Sequence, residues 1–94
     1  MVTEVQTEHP YVVRVQRPAG EEAVVKGTRL AIWFIVRQLR AGDTPEEIAG
    51  AYPSLSLASV HGALSYYFDH KSEVDAIIED LDRMAGEQAA HPTH

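Results

Sequence analysis

Apolar and polar positions alternate near the start of the chain and then change period. Tyr11-Val12-Val13-Arg14-Val15-Gln16 is rich in β-branched and aromatic side chains, which suit a pleated, half-buried surface, and predicts a strand. Pro18-Ala19-Gly20-Glu21-Glu22 reads as a turn, because proline and glycine interrupt regular structure. Ala23-Val24-Val25-Lys26 resumes strand character and stops at Gly27. The pair predicts a short β-hairpin, which must lie on helices or on another subunit, since two strands alone are marginally stable in water.

After Gly27 the apolar residues recur at helical spacing. Ile32, Ile35, Val36 and Leu39 share one face, widened by Trp33 and Phe34, and Gly42 sits where a helix ends. Thr44-Pro45-Glu46-Glu47 is a helix start: the threonine hydroxyl can cap free amides, proline is tolerated in the first turn, and Glu47 can reach back. This second helix is short, because Pro53 disfavours helical geometry at Tyr52. A third starts near Ser56 with Leu57, Val60, Leu64, Tyr67 and Phe68 as its expected buried stripe. A fourth starts around Ser72, with Asp75 as capping partner and Val74, Ile77, Ile78 and Leu81 as its stripe. The pattern leaves open whether these two are separate or continuous through Asp69-His70-Lys71. Residues 1–8 lack periodicity and read as a disordered lead-in, and residues 87–94 as a disordered tail, leaving one domain over 9–86. The expected fold is mainly α, with a short N-terminal β-hairpin and three to four helices in a helix-turn-helix arrangement.

Composition narrows the setting. The longest apolar run, Leu30 to Val36, is too short to span a bilayer. No export signal is visible in Met1–Pro10, and the absence of cysteine excludes disulfides and thiolate metal sites. A cytoplasmic protein is expected, without a membrane role. With 94 residues its core is thin, and a homodimer is the expected supplement. The net charge of −6 is unevenly spread. Arg14, Arg17, Lys26, Arg29, Arg37 and Arg40 lie between positions 9 and 40, opposed there only by Glu21 and Glu22, whereas the stretch 72–87 carries six acids against Arg83 alone.

An ordered series of short motifs runs through this frame: Lys26-Gly27-Thr28-Arg29-Leu30, Gly42-Asp43-Thr44-Pro45-Glu46-Glu47-Ile48, Ala51-Tyr52-Pro53-Ser54-Leu55-Ser56 and Ala63-Leu64-Ser65-Tyr66-Tyr67. Together, over roughly residues 9–82, they resemble the domain-of-unknown-function 433 family (DUF433), whose members are described as VapB45-like antitoxins. The resemblance implies a homeodomain-like or winged-helix-like fold and a toxin–antitoxin operon whose partner is a PIN-like ribonuclease toxin.

Thr44 to about His70 has helix-turn-helix spacing, in which the second helix would enter a DNA major groove. Its expected outward positions are Ala58, Ser59, His61, Gly62 and Ser65. None is among the side chains best shaped for paired bonds to bases, so Ser59 and His61 are weak groove candidates, and a purely structural three-helix unit or a protein contact remains open. Arg14, Arg17, Lys26, Arg37 and Arg40 are candidates for phosphate contact, which needs only positive charge on one face, although the same charges would also keep a hairpin soluble. Arg29 is expected to tie the hairpin to Tyr-Pro or helix-end carbonyls rather than to meet a ligand. The acidic fourth helix is a candidate docking element for a basic nuclease, or simply a solvated face. Ile77, Ile78 and Leu81, with Trp33 and Phe34, are candidates for partner or dimer contact.

Catalysis has little support. Glu21/Glu22 and Glu46/Glu47 are sequence neighbours and do not converge as an acid–base pair. His9, His61, His70, His91 and His94 show no metal-ligand spacing, and there is no phosphate-cradling glycine loop. No enzyme activity, cofactor or metal is expected. The expected function is that of an antitoxin in a type II toxin–antitoxin pair, neutralising a PIN-like ribonuclease and binding operator DNA. The alternative is a protein-interaction or oligomerisation module with no nucleic-acid role.

Overall fold

The chain opens with strands and closes with helices, in the order β1 (Glu4–Gln6), β2 (Val12–Arg17), β3 (Gly20–Val25), α1 (Ile32–Arg40), α2 (Pro45–Ala51), α3 (Leu57–Asp69) and α4 (Lys71–Ala90). A computed structural model describes residues 4–18 and 20–90, with side chains through Gly86. The expected hairpin is present, with Val12 opposite Val25 and Arg17 opposite Gly20. Glu4–Gln6, expected in a disordered lead-in, pairs antiparallel with β2, making a three-stranded sheet in the order β1-β2-β3. At the other end α4 runs to Ala90, past the expected start of the tail. Residues 91–94 lie outside the described residues.

The segment after β3 is a tight loop. The Val25 amide donates to the Leu30 carbonyl, and Thr28 Oγ1 donates to the Val25 carbonyl while accepting from the Leu30 amide. Gly27 supplies the left-handed φ of +81° that this reversal needs. The expected role of Arg29 is not seen: its backbone carbonyl lies 3.5 Å from an Arg17 donor, while its own exposed side chain makes no hydrogen bond among the described residues.

Local signals set the helix boundaries. Thr44 and Glu47 form the reciprocal capping box, at 2.8 and 3.1 Å, with Pro45 in the first turn. Ser56 caps α3 by accepting from the Ser59 amide. His70 separates α3 from α4, its amide bonded to the Tyr66 and Tyr67 carbonyls. The expected Ser72–Asp75 capping pair gives way to another arrangement. Helix α4 starts at Lys71, and Asp75 turns to Arg40, Tyr67 and Lys71.

The core lies between one sheet face (Val12, Ala23, Val25) and the four helices, centred on Ile32, Ile35, Ile48, Val60 and Tyr66. Val13, Val15 and Val24 form a smaller cluster on the opposite sheet face. Helix α3 is turned differently from the expected stripe. It buries Ser59, Val60, Ala63, Tyr66 and Tyr67, leaving Leu57 and Phe68 outside at 41% and 66% exposure. Small residues explain the rotation. Gly62 lies so close to Tyr11 that a Cβ there would sit 2.8 Å from the Tyr11 Cβ, and Ala63, fully buried beside it, also permits close packing.

Candidate functional site

The charge segregation along the chain is neutralised within the fold. Strand β2 and helix α1 bring their arginines against the acidic side of α4. Arg14 lies 3.3 Å from Glu73, Arg37 3.4 Å from Asp82, and Arg40 2.6 Å from Asp75. Arg17 pairs within the hairpin, its Nε 3.0 Å from Glu22 Oε1, but misaligned, so that this buried Nε makes no hydrogen bond. Of the five phosphate candidates, Lys26 alone has no acidic partner among the described residues. The structure therefore does not gather them into one free positive surface.

Two polar knots hold this seam. In the first, Arg14 donates to the Tyr66 hydroxyl and to Glu73. Burial pushes the Tyr66 phenol up to about 12, reinforced by the Glu73 carboxylate and opposed by Arg14. Desolvation works against the charge on Arg14, but the Glu73 hydrogen bond, with Tyr66 and Glu21, holds its pKa above the ordinary value. In the second knot, Asp75 accepts from Lys71 at 2.9 Å, from the Tyr67 hydroxyl at 2.7 Å and from Arg40. Those hydrogen bonds, Lys71's foremost, hold its carboxyl down at about 2. Arg40 is raised above its ordinary value chiefly by its bond to the Tyr67 hydroxyl.

The groove candidates part company. Ser59 is 6% exposed, and its hydroxyl closes the helix cap by accepting from the Ser56 amide, so it does not face outward. His61 does face outward, but beside Leu57, Leu64 and Phe68. At positions 57, 61, 64 and 68 these four side chains share one helix face, a spacing typical of helix–helix contact. It was not expected from the sequence, because period alone does not say which of two apolar stripes turns inward.

The partner candidates divide as well. Ile78 is 2% exposed and belongs to the core, while Ile77 and Leu81 are half-buried. Trp33 and Phe34 form a half-buried ridge between two open clefts of about 490 and 460 Å³. Trp33 Nε1 donates to Glu22 at 3.0 Å, and the Phe34 ring meets Tyr52 edge-on at 5.6 Å. Both aromatics are thus already engaged within the chain.

One cluster had no counterpart in the sequence reading. Glu8 and His9, just before β2, meet Asp69 and His70 at the end of α3. His9 Nε2 lies 2.8 Å from Asp69 Oδ2, and His70 Nε2 lies 3.0 Å from Glu8 Oε2. Ligand atoms of Glu8, His9 and Asp69 fall within 4.8 Å of one another, a grouping able to hold a metal ion. The residues are some 60 positions apart, so no local spacing could have announced them.

A family model described as "Protein of unknown function (DUF433)" matches residues 16–67, more than half of the chain. The match covers β3 through most of α3, including the loop at Gly27 and the capped start of α2. No curated protein and no solved structure matches.

Proposed function

The chain belongs to the DUF433 family, and we propose that it acts within that family by contact with another protein, as the antitoxin of a type II toxin–antitoxin pair. One observation carries the reading: the outward face of α3 is apolar where a DNA-reading helix would be polar and basic. Leu57 and Phe68 stand exposed along it, with Leu64 half-buried and His61 between them. Arg, Lys, Asn and Gln, the side chains best shaped to pair with base edges, are missing from that face.

The charges point the same way. Arg14, Arg37 and Arg40 are tied to α4, whereas Asp43, Glu46 and Glu47, around the start of α2, have no basic partner among the described residues. The surface left by α2 and α3 is therefore apolar and negative. A ribonuclease, which must carry positive charge to hold RNA, complements such a surface. The contact face assigned here is α3 with the start of α2, in place of the acidic side of α4, whose Glu73, Asp75 and Asp82 are occupied. No chemistry occurs on this chain in the proposal, and its setting is the cytoplasm. No helix among the described residues is long and apolar enough to cross a membrane.

Co-expression with the product of the adjacent open reading frame tests the reading. Leu57→Glu with Phe68→Glu should abolish co-purification while leaving the far-ultraviolet dichroism and Tm near wild type, because both side chains are exposed. A complex that survives the double change overturns the assignment. Light scattering on the isolated chain shows whether the same face also joins two copies.

A second reading has one observation in its favour. Lys26 and Arg29, around the loop after β3, are exposed and have no acidic partner among the described residues. DNA contact through these two alone would show a slope of about −2 in log affinity against log salt, against roughly −4.5 for five phosphate contacts.

A further inference from the structure

We propose that Glu8, His9 and Asp69 form a binding site for one divalent transition-metal ion. The site joins the segment leading into β2 to the end of α3. Its donors are one imidazole and two carboxylates, and the nitrogen donor favours zinc, cobalt or nickel over calcium or magnesium, which prefer oxygen alone.

The geometry is close to what such an ion requires. Zinc–ligand distances of about 2.0–2.2 Å in a tetrahedral site set donor atoms about 3.3–3.6 Å apart. Here the three donors lie within 4.8 Å of one another, and the tightest pair, His9 with Asp69, is 2.8 Å apart. Admitting an ion requires that pair to open by a fraction of an ångström and Glu8 to close in. Both carboxylates can make that adjustment, since the side chains of Asp69 and Glu8 are 61% and 59% exposed.

The imidazole between them is the fixed point. His9 is 9% exposed and meets the Tyr66 ring edge-on at 5.6 Å. Its backbone is pinned as well, the His9 amide donating to Thr7 Oγ1, which in turn donates to the Val12 carbonyl at 2.7 Å. A neighbouring imidazole, that of His70, stacks on Tyr66 with ring centroids 4.1 Å apart and reaches Glu8 through Nε2. A buried histidine flanked by two exposed carboxylates leaves an open side from which an ion can enter.

The experiment uses the full chain without an affinity tag. Titration calorimetry with zinc chloride at neutral pH should give one ion per chain with a dissociation constant in the micromolar range or below. Cobalt chloride should give visible d–d absorption that zinc displaces. Bound zinc should raise Tm, and EDTA should reverse the rise, because an ion held only by the folded state stabilises it. Asp69→Asn and Glu8→Gln should each weaken binding at least tenfold while keeping the metal-free Tm, since both side chains are largely exposed. The double variant His91→Ala/His94→Ala, which removes the tail histidines, should bind as wild type does. The proposal is overturned if no saturable single site appears, if the Asn and Gln variants bind zinc undiminished, or if the tail variant loses the ion.

Discussion

Helix α3 carries two apolar stripes of similar spacing, and the molecule treats them in opposite ways. The inward stripe, Val60, Ala63, Tyr66 and Tyr67 with Ser59, meets α1, α2, α4 and both long strands. The outward stripe, Leu57, His61, Leu64 and Phe68, includes an aromatic ring that is 66% exposed. The larger side chains are divided between the two stripes, so hydrophobicity did not decide the orientation. Close approach did: Gly62 and Ala63 let the hairpin and the helices come near, and Tyr66 and Tyr67 on the same side carry hydroxyls that bond Arg14 and Arg40. The inward stripe therefore holds the fold together. The outward one, with Leu57 and Phe68 exposed, is the surface proposed above for a protein contact.

The comparison breaks most readily at Tyr66. It is fully buried, stacks on His70 and accepts from Arg14. Tyr66→Ala should cost about 3–5 kcal/mol, the range for removing a buried aromatic ring, and should leave little folded protein. Tyr66→Phe keeps the ring and loses only the hydroxyl contacts, one of them to a charged guanidinium, for about 1.5–3 kcal/mol. Urea unfolding of the two variants separates packing from polar tethering. Equal losses would mean that the ring contributes nothing.

Gly62→Ala is next in size. The added Cβ meets Tyr11 Cβ and Cδ2, both at 2.8 Å, so the hairpin must move away from α3. Overpacking of this kind costs about 1–3 kcal/mol. The Tyr11 ring is 42% exposed and can swing aside, but its Cβ moves only with the backbone. A Tm equal to wild type would show that the hairpin rides loosely on α3.

These two residues also mark where the fold stops being legible in the sequence. What depends on neighbours along the chain is readable: the Thr44–Glu47 box, the stop at Gly42 and the cap at Ser56 are each set within a few residues. Helix α1 is readable for the same reason, since Ile32, Ile35 and Val36 share one face with no competing stripe. Strand β1 is not, because Glu4-Val5-Gln6 has no apolar alternation and exists by pairing with β2. The charge pattern misleads for a related reason. Arg14 and Glu73 look like members of two separate patches until the fold sets them 3.3 Å apart across 59 positions. The His9–Asp69 pair lies beyond local reading in the same way.

The clasp between α1 and α4 gives a prediction in acid. Asp75 titrates at about 2 in the folded chain against an ordinary 3.8, so the unfolded chain takes up its proton first as pH falls. Its contribution is therefore complete above about pH 4 and is lost progressively toward pH 2. Asp75→Asn should be less stable than wild type at pH 6, and the two should converge near pH 2. Thermal unfolding at several pH values checks this, and parallel curves would mean that Lys71, Tyr67 and Arg40 do not act through this carboxylate.

The smallest expected effect is the most informative about the two stripes. Phe68→Ala removes a large ring, yet a side chain so exposed should change stability by no more than about 0.5 kcal/mol. The same size of deletion at Tyr66 is expected to cost several times more, although the residues are two positions apart on one helix. The contrast depends on the ring of Phe68 having little to pack against besides Tyr67, whose centroid is 5.2 Å away. If Phe68→Ala instead lowers Tm by an amount that grows with protein concentration, the ring is already buried by a second copy of the chain. The outward stripe would then be a homodimer seam, and a heterologous partner would have to compete for it. A loss independent of concentration would place Phe68 in the monomer's own core and remove the distinction between the stripes. A negligible change leaves an apolar side chain in water with no role in stability, which is the outcome that the proposed protein contact requires.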